Sequence, residues 1–143
     1  MSAKNRSMPE CTVIPVLHYP NVRESTEWLC STFGFEARLR IGSHRCQLSV
    51  PPGVESIVIA RSTDDCSQRA MREHSVMIRV NDVDAHYARV TQSQAEVVSA
   101  PATMPYGERQ YTVKDHVGHV WTFSQTVADV DPSDWGGTLE TEG

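Results

Sequence analysis

The sequence predicts an α+β protein made of two β-α-β-β-β modules. Three observations predict it. A strand, an N-capping residue and an amphipathic helix occur in the same order twice, with Asn21 laid over Asp82. Short runs of alternating apolar and polar residues follow each helix. The chain then closes on Tyr106–Gln125, YGERQYTVKDHVGHVWTFSQ, which reads as two strands around a tight turn.

Each element has a local reason. Val13–Tyr19 is a first strand, and Pro15 within it implies an edge position or a bulge. Asn21 caps a helix, with Glu24 three residues on as in a capping box. Val22, Leu29 and Phe33 share one helical face with Trp28 at its margin, and Gly34 ends the helix. Phe35–Ile41, His44–Val50 and Ser56–Arg61 are strands separated by Gly42-Ser43 and by Pro51-Pro52-Gly53. Residues 62–73 are a polar linker or a short helix. His74–Val80 is the next strand, and Asp82 caps a helix lined by Val83, Tyr87 and Val90. Glu96–Val98 is a short strand, and Pro101 and Pro105 bracket a loop. Glu108–Asp115 and His119–Gln125 make the closing hairpin.

A length of 143 residues indicates one domain, and 39% apolar residues suffice for one core. The domain spans residues 12–126, with modules at about 12–61 and 74–126. Residues 1–11 read as a flexible N-terminus and 127–143 as an acidic, disordered tail. Asp129, Asp131, Asp134, Glu140 and Glu142 of that tail account for the whole net charge of −5. No basic stripe exists, which argues against nucleic acid. Cys11, Cys30, Cys46 and Cys66 form no C-x-x-C pair. No signal peptide and no stretch near ~20 apolar residues is found, so the expectation is a cytoplasmic protein with reduced thiols, away from membranes.

The Asp115-x-x-Gly118 turn with its aromatic-bearing strand resembles the last hairpin of the vicinal oxygen chelate superfamily. FGFE at 33–36 and VNDVDAHYARV at 80–90 carry the same resemblance. It covers about residues 12–126 and is closest to the glyoxalase/bleomycin-resistance branch. Two features depart from the family pattern: His116 stands at the usual turn proline, and Pro15 breaks the first strand. The resemblance implies that the modules curl their sheets into a cup with the helices outside. It also implies a homodimer. Alternation then turns Ile14, Val16 and His18, then Ser75, Met77 and Arg79, and then Val120, Thr122 and Ser124 inward.

Metal-binding members place His, Gln or Glu at four inward positions. Three of these correspond to Ile14, Ser75 and Thr122, and the fourth lies within Ser56–Arg61, which holds no His or Glu. Isoleucine and neutral hydroxyls are poor ligands for transition metals. No metal and no cofactor is therefore expected. His74 would need a bulge to turn inward, and His116 and His119 read as solvated turn residues.

The candidate ligand-binding residues are His18, Ser75, Met77, Arg79, Arg109, Tyr111 and Thr122. Arg79 suits a planar anion and His18 a proton near neutrality. Tyr106, Glu108, Arg109 and Tyr111 at the hairpin entrance offer a ring and a cation to a flat ligand, or simple cross-strand packing. No catalytic residue is assigned. The first functional expectation is a metal-free small-molecule binder of the bleomycin-resistance type. The second is a glyoxalase-like lyase, isomerase or dioxygenase with a non-standard metal site. The third is a dimeric interaction module without a ligand, its cup filled by side chains such as Val16 and Met77.

Overall fold

A computed structural model describes residues 5–62, 71 and 74–140. The expected linker therefore lies almost wholly outside the described residues, as do Cys66, residues 1–4 and residues 141–143. The chain forms two compact units, Met1–Ala70 and Met71–Gly143.

The first unit runs β1 (Val16–Tyr19), α1 (Val22–Phe33), β2 (Glu36–Ile41), β3 (Arg45–Ser49) and β4 (Ser56–Arg61). Its sheet order is β1-β4-β3-β2, with β1 parallel to β4 and the other pairs antiparallel. Asn21 accepts the Glu24 amide at 3.1 Å, and Gly34 closes α1 at φ 85°, a left-handed conformation that suits glycine. Leu17, Tyr19, Leu29, Phe33, Leu48, Ile57 and Ile59 form the buried core.

Two local details differ from expectation. β1 starts at Val16, because Pro15 has no amide to donate; its carbonyl still accepts from Val58. The β2–β3 ladder shifts register between Ala37 and Leu39, a bulge at Arg38. The Arg38 guanidinium hydrogen-bonds the side chain of Gln47 and donates to the carbonyls of Arg6 and Met8 at 3.0 and 3.2 Å. Gln47 in turn donates to the Ser7 carbonyl at 2.8 Å. Residues 6–8 are thereby held against the sheet.

The second unit repeats the plan: β5 (Ser75–Arg79), α2 (Val83–Thr91), β6 (Glu96–Thr103), β7 (Glu108–Lys114) and β8 (Val120–Thr126). Its sheet order is β5-β8-β7-β6, with β5 parallel to β8. Asp82 caps α2 by accepting the Ala85 amide at 3.0 Å. β6 is longer than the predicted Glu96–Val98. It continues through Pro101 with two register shifts, which a strand at the sheet edge tolerates because its outer amides have no ladder partner among the described residues. Trp121, Phe123, Tyr111 and Val113 are fully buried beneath α2, as are Val83 and Val90 of the helix itself.

After β8 the chain turns back over the start of β7. The Gly107 carbonyl accepts the amides of Val127 and Ala128 at 2.9 and 3.2 Å. A side chain on Gly107 would strike the Ala128 carbonyl, and its φ is 86°. A 3-10 turn at Pro132–Trp135 then brings Trp135 edge-on to Tyr106, with ring centroids 5.5 Å apart. The fold is thus α+β, two βαβββ modules in sequence, as the residue pattern predicts.

Candidate functional site

The closing hairpin is built around one carboxylate. Asp115 is buried, and its Oδ1 accepts the amides of Val117, Gly118 and His119, each at 3.0 Å. Its Oδ2 accepts the Trp121 indole N–H at 3.1 Å. The Asp115 amide donates to the His119 carbonyl at 2.9 Å, which closes the loop and fixes the register of β7 on β8.

That register sorts the side chains onto two faces. Tyr111 stands opposite Phe123 and Val113 opposite Trp121. These residues lie under α2, and Arg109 shares their face. Asp84 of α2 takes Arg109 in a two-point ion pair at 3.0 and 3.1 Å. The pair holds the Asp84 carboxyl below its usual range, chiefly through the hydrogen bonds from Arg109. His86 Nδ1 meets the Tyr111 hydroxyl at 2.6 Å, and the His86 ring lies 4.1 Å from that of Phe123. Burial pushes the Tyr111 phenol up, so it stays neutral. Arg109 and Tyr111 therefore dock the helix. They do not stand with the other candidate residues of this unit.

The opposite, helix-free face gathers Ser75, Met77, Arg79 and Thr122. Three cross-strand rows define it: Ser75–Val120–Lys114, Met77–Thr122–Thr112 and Arg79–Ser124–Gln110. Paired residues project to the same side, and successive rows lie about 7 Å apart. The Thr122 and Thr112 hydroxyls bond each other at 2.9 Å. Met77 sits at the centre of the edge strand with 61% of its surface exposed. Arg79 makes no hydrogen bond or ion pair with any described residue.

Beside Arg79 runs a polar chain that the sequence pattern did not single out. Tyr106 donates to Gln110 at 3.0 Å, Gln110 donates to Ser124 at 3.1 Å, and Ser124 donates to Glu108 at 2.6 Å. Hydrogen bonds from Ser124 and Thr126, with a smaller contribution from the charge of Arg79, hold the Glu108 carboxyl below its usual range. A carboxylate so stabilised is a weak proton acceptor near neutrality. Ser124 was already placed inward by alternation, and Gln110 could have been found from the hairpin register, since it shares a row with Ser124 and Arg79 once Asp115 is paired with His119.

In the first unit, His18 and Val16 are exposed and share the helix-free face of their own sheet with Gln47. His119 is buried, contrary to the expectation of a solvated turn residue, because its backbone pairs with Asp115 just ahead of β8; its ring lies 6.1 Å from that of His74. Among the described residues no three His, Cys, Asp or Glu side chains come together as a metal site. Ser75 and Thr122 stand on the helix-free face, and Ile14 lies just ahead of β1. This donor set does not fit a catalytic divalent metal. No helix among the described residues is long and apolar enough to cross a membrane.

The repeated βαβββ unit and an open polar face on one sheet define a class of small two-module α+β proteins. The family model described as Glyoxalase/Bleomycin resistance protein/Dioxygenase superfamily matches residues 14–123, and the chain belongs to that family. Among solved structures it is similar to TioX from Micromonospora sp. ML1, at 29% identity and a TM-score of 0.66, covering 85% of this chain and 100% of that one. It has the fold of a bleomycin-binding protein from Streptomyces verticillus complexed with copper(II)-bleomycin, at 21% identity and a TM-score of 0.60, covering 82% and 95%. It also has the fold of a lactoylglutathione lyase from Agrobacterium tumefaciens, at 14% identity and a TM-score of 0.62, covering 82% and 94%. Uncharacterized proteins of Mycobacterium bovis and Mycobacterium tuberculosis are 30% identical over 69 residues, 48% of this chain; the match spans 45% and 41% of their lengths, under half of each.

Proposed function

We propose that the protein binds a small, partly aromatic organic molecule without a metal, on the helix-free face of the β5-β8-β7-β6 sheet. The observation that carries this reading is the composition of that face. An exposed thioether, a guanidinium with no hydrogen-bond or ion-pair partner among the described residues and several hydroxyls stand together, and among the described residues no three metal donors come together. Met77 offers an adaptable apolar contact and Arg79 a directional charge. Tyr106, at the end of the polar chain, offers a ring for stacking. A cytoplasmic homodimer belongs to the same reading, with family membership as its support, and light scattering on the purified protein tests the dimer.

The Streptomyces verticillus protein of this fold makes bleomycin, with and without copper(II), the first compound to test, followed by other aromatic glycopeptides. Untagged protein is assayed for metal content and then for thermal stabilisation. The expected result is substoichiometric metal and a saturable rise in melting temperature, about 2.7 kcal/mol of added stability at a ligand concentration 100 times Kd. Met77→Ala and Arg79→Ala should each reduce it. A stoichiometric resident metal, or stabilisation unchanged in both variants, overturns the reading.

A further inference from the structure

The first unit contains a cavity of about 480 Å³ between the start of α1 and the β2–β3 hairpin. Its lining includes Val22, Arg23, Glu27, Arg40, Arg45 and Cys46. It is a different place from the open face of the second unit, and nothing in the proposed function uses it.

Its construction follows from the register. Arg40 stands opposite Cys46 across the β2–β3 ladder, so both project to one side of the sheet. Arg23 and Glu27 are one helical turn apart on α1. Val22 and Cys46 are buried and give the cavity an apolar floor. The rim carries three arginines and one glutamate, in a chain whose net charge is −5. None of the three guanidinium groups makes a hydrogen bond or ion pair with a described residue. Arg38 and Arg109, by contrast, are both committed to partners. Arg23 and Arg40 are both exposed beside this apolar floor, so their guanidinium forks are available to pair with an anion. The volume lies within the range of small-molecule sites, about 300–1,000 Å³.

We propose that this cavity binds a small organic anion. Arg23 and Arg40 take its carboxylate or phosphate group by paired N–H donors, and its apolar body rests on Val22 and Cys46. Glu27 on the same rim disfavours a ligand with more than one separate anionic group on that side.

The test is an amide NMR titration of the full chain with benzoate and with phenyl phosphate, and with benzylamine as the cationic control. The expected result is saturable shifts at Val22–Glu27 and Arg40–Cys46 with one or both anions and none with benzylamine. The tighter anion identifies the group the site prefers. Arg23→Gln and Arg40→Gln should each weaken binding by about threefold or more, the range of exposed charge pairs. Arg40→Lys keeps the charge but loses the fork, and should also weaken it. Shifts that fail to saturate, that appear equally with benzylamine, or that are unchanged in both glutamine variants overturn the proposal. Shifts confined to Ser75–Arg79 and Val120–Thr126 would assign the anions to the other face and also overturn it.

Discussion

Asp115 shows how one side chain can set a local fold. Four N–H groups converge on its two oxygens, three from the turn and one from the Trp121 indole. Asp115→Asn keeps the size but turns one acceptor into a donor facing either the turn amides or the indole. The expected cost is about 3 kcal/mol, set by the loss of charge-assisted bonds in a buried place, and urea unfolding measures it. Glu108 makes a pH prediction. Its carboxyl is held below the ordinary value of 4.5 by Ser124, Thr126 and Arg79. A folded value below the unfolded one contributes stability above the usual carboxylate range, and that stability is lost as pH falls through the lowered value. Glu108→Gln should flatten the fall in urea midpoint between about pH 5 and pH 3, the range around the reference glutamate value. An unchanged slope would show that other carboxylates govern it. At this scale alternation alone places Arg79 and Thr122 on the helix-free face, and leaves open whether Arg109 and Tyr111 meet a ligand or pack against a neighbouring element. Alternation correctly puts Glu108 and Arg109 on opposite faces. It does not say which face carries the helix until the hairpin is registered, and that register depends on Asp115 pairing with His119.

Among the elements, helix ends were the clearest sequence signals, because capping is a contact across three or four residues. Asn21, Gly34 and Asp82 all cap as their types predict. Gly34→Ala forces a β-carbon into the left-handed region and should cost about 1 kcal/mol without changing the helix content; chemical denaturation with circular dichroism checks both. Strand ends were less legible. β1 starts later than alternation suggests and β6 ends much later. Both limits are set by ladder partners far along the chain, Val58 for the first and the β7 residues for the second. The tail is a similar case. Its polar composition reads as frayed, yet residues 127–135 follow contacts to Gly107 and Tyr106 that only the folded β7 supplies.

For the molecule as a whole, the repeat of strand, cap, helix and three strands gave the architecture, because that order is written in local signals twice over. The open face of the second sheet was only half legible, since alternation places Ser124 there but the bonds that join Gln110, Ser124 and Glu108 run between strands and not along the chain. The cavity beside α1 left no sequence signature at all: its arginines come from a helix and a hairpin that only folding brings together. The three tryptophans fall at three distinct addresses. Trp28 lies on α1, Trp121 is sealed against a carboxylate in β8, and Trp135 is 44% exposed in the tail. The chain thus carries its own optical labels. Emission from Trp121 is shielded from a dissolved quencher, whereas Trp135 is open to it. Single tryptophan-to-phenylalanine variants would separate detachment of the tail, opening of the closing hairpin and melting of the first unit, with no dye attached.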